Sequence, residues 1–331
     1  MSGRTLRTHH LPEFRLESGE VLTEVVQAYH LDGEINASRD NLVIVFHALT
    51  GSADAVGDWW SDVFGPGRAI DTHRYAVLCT NLLGSCYGTT FRRPEPGRRP
   101  LITPRDQARL IHALVEELGI RSVALTAGGS LGGMVGLEFA ASYPELTRTS
   151  VIFAAPAAHT AAAIGWNHIQ RQAIALGSEQ GLAVARMVGM MTYRTAVEFQ
   201  ERFGRERGPN GFQVESYLNH QGEKLVKRFD PESYLMLMDA MDAHDVGRGR
   251  GGFVEALRAV RGRLIGVGIP GDILYSDEDV RAWTDPVGAE YRQIDSIHGH
   301  DAFLIEVDQV AAILADALEE ATPSARLATG A

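Results

Sequence analysis

Five residues, Gly128-Gly129-Ser130-Leu131-Gly132, stand between an apolar run, Ser122 to Ala127, and a stretch with helical character, Gly133 to Tyr143. The pattern Gly-x-Ser-x-Gly suits a strand-to-helix turn so tight that only small neighbours fit. Such a turn lifts the serine hydroxyl above the sheet edge. Glycine and serine are common in loops, so the bare pattern is weak. Its position between a strand and a helix favours a nucleophile over a serine in a structural turn.

The rest of the chain supplies a sheet for this turn to crown. Short apolar runs at Asn41 to Phe46, Tyr75 to Cys79, Ser122 to Ala127, Thr149 to Phe153 and Leu264 to Ile269 alternate with helical stretches. That alternation builds a mostly parallel sheet. A helix is expected after Thr103, with Pro104 at its first position and Gly119 past its end. Glu20 to Leu31 alternates like an antiparallel edge hairpin. From Ala157 to Arg258 the strand signal disappears. Helical spacing takes over, as in Gly181 to Met191 and Tyr234 to Met241, and reads as a helical lid, 157–258, inserted into a catalytic domain made of 1–156 and 259–331. The lid's Met187, Met190, Met191, Met236, Met238 and Met241 fit core filling or subunit contact. Phe203 to Gly211 reads as an exposed turn, and Ala321 to Ala331 has little to bury.

Composition narrows the function. The chain has 331 residues, 45% of them hydrophobic, enough for one large core plus a lid. Its formal net charge of −11 argues against nucleic acid as a partner. No apolar run reaches the length of a membrane helix, and Met1 to Arg15 has no signal-peptide pattern, so a cytoplasmic location is expected. Cys79 and Cys86 form no metal or redox spacing, and no metal or cofactor is expected.

A serine hydroxyl needs a base to take its proton and a third group to orient that base. In the α/β-hydrolase fold these follow the serine in the order acid, then histidine, on loops after later strands. Leu264 to Ile269 runs into Pro270-Gly271-Asp272, and Tyr291 to Ile294 runs into Ser296-Ile297-His298-Gly299-His300-Asp301. Asp272 is preferred over Asp277, Asp279 and Asp285, which lie in the following turn and helix. His298 rivals His300, and spacing does not separate them. The amides of Leu131 and Leu49 are the candidate oxyanion donors. His47, at the end of a strand, reads as a structural histidine bonded to backbone.

Several further blocks extend the pattern: His47-Ala48-Leu49-Thr50-Gly51, Gly65-Pro66-Gly67, Asn81 to Thr90, Gly128 to Met134, Phe212 to Leu218 and Gly299-His300-Asp301-Ala302-Phe303-Leu304. Together, in this order, they resemble the homoserine O-acetyltransferase family of methionine biosynthesis. The resemblance implies acetyl-CoA as co-substrate, an acyl-serine at Ser130 and transfer to the hydroxyl of L-homoserine. It also implies His300 rather than His298 as base, Asp272 as acid, and a homodimer formed through the lid. Within the block Gly181 to Met187 it implies that Arg186 binds the acceptor carboxylate, and that Asp301 contacts the amino group. A zwitterionic acceptor needs one cation and one carboxylate, and arginine's two-pronged fork fits a carboxylate. The chain departs from the family in carrying Leu131 where methionine is usual, and in shorter loops after Thr90 and around Ala175 to Gly181.

Competing readings are a succinyl-CoA- or serine-directed transferase of the same family, a plain serine esterase, and a non-catalytic protein on a hydrolase scaffold. The last would have no reason to keep the serine, histidine, aspartate and both oxyanion loops.

Overall fold

The computed structural model describes residues 4–209 and 211–319. The expectation for Ala321 to Ala331 lies outside them. Nine strands form the main sheet: β1 (Arg7–Arg15), β2 (Val21–Asp32), β3 (Leu42–Phe46), β4 (Ala76–Thr80), β5 (Thr90–Arg92), β6 (Val123–Gly129), β7 (Thr147–Phe153), β8 (Arg263–Gly268) and β9 (Glu290–Gln293). Their order is β1-β2-β4-β3-β6-β7-β8-β9, with β5 on β2. The pairs from β4 to β9 are parallel, and β1, β2 and β5 form an antiparallel edge.

The expected edge hairpin needs revision. Glu20 to Leu31 is not a hairpin by itself but a single long strand, β2, whose partner is the polar opening segment, Arg7↔Tyr29 through Arg15↔Val21. Sparse apolar residues hid β1, because an edge strand needs little burial to pair.

Period-two alternation in the central strands explains the layers. Leu42, Ile44 and Phe46 face a core shared with Leu114, Leu137 and Trp283, which lie on α1 (Pro104–Glu117), α2 (Leu131–Ser142) and α8 (Asp277–Val287). Val43 and Val45 face the opposite core with Trp60 and Leu314, the latter on α9 (Val307–Glu319). Helix α1 begins as expected, with Thr103 and Asp106 in a reciprocal cap, Pro104 at the first position and Gly119 at φ 66°.

Between β7 and β8 lie α3 (Ala161–Tyr193), α4 (Ala196–Phe203), α5 (Gln213–Val226), α6 (Pro231–Asp242) and α7 (Phe253–Arg258). Among the described residues this stretch adds no strand to the main sheet, only a two-residue ladder, Arg207–Gly208 with Gly211–Phe212, and a single bridge between Ala158 and Asp245. Helix α3 breaks at Gly177 and Ser178, where Ser178 has φ 46°. The two halves then approach so closely that a Cβ on Gly181 would lie 2.2 Å from the Ala173 carbonyl oxygen. Helix α3 packs on α5 and α6, whereas α7 packs on α2 and α8. Met190, Met236, Met238 and Met241 are buried; Met191 is exposed. Both cysteines are free. No helix among the described residues is long and apolar enough to cross a membrane.

Candidate active site

Ser130 sits where β6 passes into α2, with φ 57° and ψ −125°. A non-glycine residue in this region is strained and persists only when its surroundings hold it. Here the Ser130 amide donates to Phe153 O at 3.0 Å, and the Met134 amide donates to Ser130 O at 3.0 Å. The flanking glycines are sterically required. A Cβ on Gly132 would lie 2.1 Å from Phe46 O, and one on Gly128 would lie 2.6 Å from Gly132 O.

Asp272 lies in the loop after β8 and is buried. Its Oδ1 accepts from the amides of Leu274 and Tyr275 at 2.8 and 3.1 Å, and its Oδ2 is 2.7 Å from His300 Nδ1. The carboxylate thus assigns the His300 proton to Nδ1 and leaves Nε2 as the basic nitrogen. Burial works against a charged His300, but the adjacent Asp272 charge and hydrogen bond, with Asp301, raise its pKa above the ordinary 6.5. Nε2 is buried without a hydrogen-bond partner, so the contact to the Ser130 hydroxyl is not formed in this state. Such contacts are commonly loose in free enzymes and tighten with substrate.

The rivals are placed elsewhere. His298 Nδ1 faces Glu198 at 3.2 Å, not Asp272. Asp279 caps α8 through Ser276, Asp277 lies 3.7 Å from Arg281, and Asp285 is on the last turns of α8. His47 is fully buried and held neutral by burial, its pKa lowered to about 4. Its Nδ1 donates to Ala48 O at 2.8 Å and its Nε2 accepts from the Leu82 amide at 3.0 Å, which pins the loop containing Leu49. Leu131 opens α2, so its amide has no intrahelical acceptor.

Ser130, His300, Leu49, Arg186 and Asp301 line one cavity of about 460 Å³. Arg186 has no carboxylate partner among the described residues; its guanidinium lies 5.5 Å from the Tyr193 ring centre. Asp301 pairs with Arg194, Nε to Oδ2, at 3.1 Å. The sequence reading did not foresee Tyr193, Lys224 and Arg228 on this wall. Arg228 donates to Thr50 O at 2.7 Å and to the Tyr87 hydroxyl at 2.8 Å, tying the end of α5 to the loop that follows β3. Nothing in the sequence separates Arg228 from the other arginines of 157–258, because their directions depend on how the helices cross.

A model of the alpha/beta hydrolase fold matches residues 41–207. A homoserine O-acetyltransferase of Chlorobium chlorochromatii (strain CaD3) is 43% identical over 333 residues, covering 93% of this chain and 93% of that protein. Among solved structures, a homoserine O-acetyltransferase from Staphylococcus aureus superposes with a TM-score of 0.82 at 32% identity, covering 94% of each chain. Esterase E22 superposes with a TM-score of 0.86 over 95% of this chain and 99% of its own, but at 19% identity this shows the fold alone. With the serine elbow, the Asp272–His300 pair and a relative of this identity spanning nearly the whole of both chains, the protein belongs to the homoserine O-acetyltransferase family of the α/β-hydrolase fold.

Proposed function

We propose that the protein transfers an acetyl group from acetyl-CoA to the hydroxyl of L-homoserine through an acyl-Ser130 intermediate, giving O-acetyl-L-homoserine and CoA for methionine biosynthesis. One observation carries this reading: one cavity joins Ser130 and the Asp272-paired His300 to an arginine without a carboxylate partner among the described residues and to an aspartate. The first pair of features serves acyl transfer, and the second suits an amino-acid zwitterion. An esterase needs only the first.

His300 Nε2 takes the Ser130 proton as Oγ attacks the thioester carbonyl, and the amides of Leu49 and Leu131 meet the oxyanion. Collapse expels the CoA thiol, which receives its proton from His300. The homoserine hydroxyl then attacks the acyl-serine and loses its proton to His300, and the second collapse returns that proton to Ser130. Asp272 keeps the imidazole in one tautomer and stabilises its charged form. Arg186 takes the acceptor carboxylate and Asp301 its amino group.

Acetyl is preferred to succinyl on charge grounds. Ala48 to Gly51, Leu131 to Met134 and Ala302 to Leu304 bring no cation to the acyl group. The three cations on the cavity wall, Arg186, Lys224 and Arg228, all come from the lid and not from these segments; Arg228 is engaged by Thr50 and Tyr87, and Arg186 is assigned to the acceptor. A second buried carboxylate without a partner costs several kcal/mol. The reading includes a cytoplasmic homodimer. Ile164, Ile169 and Leu176 are exposed on α3, Leu176 at 91%, and suit a contact between copies.

The test is release of free CoA with acetyl-CoA or succinyl-CoA, each with homoserine or serine. Acetyl-CoA with homoserine should be fastest, with slow hydrolysis when no acceptor is present. Intact-mass analysis should find the acetyl group on Ser130, and Ser130→Ala should abolish transfer. Rapid hydrolysis without acceptor would establish an esterase instead.

A further inference from the structure

The junction between α3 and α4 grips the loop that carries His300. The Thr195 hydroxyl donates to Ile297 O. Gly299, at φ 65°, has the Thr195 methyl and Tyr193 O where a side chain would be, 3.1 and 3.3 Å from the position of a Cβ. Arg194 Nη1 donates to both oxygens of Glu198, at 3.0 and 3.3 Å. Its Nε lies 3.1 Å from Asp301 Oδ2. One guanidinium is therefore set between two carboxylates, and of those two only Asp301 lines the cavity.

The two contacts differ in kind. The Glu198 side is hydrogen-bonded. On the Asp301 side the distance is that of an ion pair, yet Arg194 Nε has no aligned acceptor. The charge attraction holds, since it depends on distance, while the directional bond is not made. Glu198 thus anchors Arg194 through Nη1, while Asp301 is held by the ion pair and accepts no hydrogen bond from Arg194. Side-chain exposures of 16% for both Arg194 and Asp301 and 9% for Glu198 keep this pairing largely out of bulk water, where screening would weaken it.

We propose that Arg194, braced by Glu198, is a positioning residue for acceptor recognition: it fixes Asp301 at the cavity wall while leaving that carboxylate open to the amino group of the acceptor. This rests on the reading of the cavity as an amino-acid site. It predicts that loss of Arg194 damages selection for the amino group more than acyl transfer in general.

The experiment compares kcat/KM for homoserine with that for 4-hydroxybutanoate, which is homoserine without its amino group, at saturating acetyl-CoA. The wild-type protein should prefer homoserine strongly, and Asp301→Asn should remove most of that preference. Arg194→Gln should lower the ratio about tenfold or more, as expected for the loss of a charge-assisted contact. Arg194→Lys should restore part of it, and Glu198→Gln should lower it less. If Arg194→Gln reduces both acceptors equally, the residue is structural only and the proposal fails. Should Arg194→Gln not fold, Arg194→Lys and Glu198→Gln decide the matter, and an unchanged ratio in both overturns it. A wild-type protein with no preference for homoserine would overturn the functional reading itself. A preference lost in Asp301→Asn but kept in Arg194→Gln would overturn this proposal alone.

Discussion

Arg186 is half-buried, faces the cavity and meets only an aromatic face among the described residues. A cation so placed is costly unless a ligand brings the opposite charge. Replacing it by alanine should raise the homoserine KM roughly 10- to 100-fold, the range for a charge-assisted contact, while Ser130 still becomes acetylated. Stopped acylation seen by intact mass would move Arg186 out of the acceptor site. His300 gives a second test at this scale. Because Asp272 and Asp301 lift its pKa against the effect of burial, the acid limb of the acylation rate should inflect above the ordinary histidine value of 6.5. Asp272→Asn should move that inflection to lower pH and cut the rate on the order of 10⁴-fold, since the imidazole loses both its charge partner and its fixed tautomer. An inflection unmoved by the substitution would assign the limb to another group.

Among the elements, the β6–α2 elbow has the least freedom. Gly132 must lack a side chain because the β3 backbone at Phe46 occupies the space, so Gly132→Ala should force the elbow from the sheet and cost on the order of 3 kcal/mol. A urea midpoint equal to wild type would show that the turn relaxes freely. Helix α1 was legible because its stop and start signals are local: Thr103, Pro104, Asp106 and Gly119 act on their own backbone. Strand β1 was not, because its pairing with β2 gains from backbone bonds that composition does not reveal. The break in α3 falls inside Ala175 to Gly181, which the family resemblance marked as a loop, although Ser178 at positive φ is not a residue that favours it.

For the whole molecule, acid should be more damaging than the net charge suggests. Burial holds His47, His159 and His244 neutral, with pKa values lowered to about 4, about 4 and about 3. The unfolded chain takes up protons near 6.5 that the folded chain refuses. Stability is therefore full above 6.5 and falls as pH drops through the window to about 4, by roughly 3 kcal/mol from His47 alone. His300 acts in the opposite sense: its raised value stabilises below 6.5, and that contribution is lost as pH rises through the folded value. Burial also lowers His30 and His112, so five histidines stand against one, and denaturant unfolding at pH 7 and pH 5 should show a clear loss at pH 5. Equal stability at the two values would mean that these histidines protonate without unfolding.

The sequence by itself determined the succession of the central strands and their flanking helices, the elbow at Ser130 and the succession of acid and histidine, because these are written in local spacing and in the small residues a tight turn requires. Its spacing left His298 and His300 equivalent, and only the family resemblance favoured His300. Only the fold brings Asp272 to within 2.7 Å of one imidazole and sets Glu198 beside the other, 28 residues and about 100 residues away along the chain. The same holds for the lid arginines. Whether Arg186, Arg194 or Arg228 faces a ring, a carboxylate or a carbonyl depends on how α3 and α5 cross above the sheet, and side-chain direction at that range is a property of packing, not of pattern.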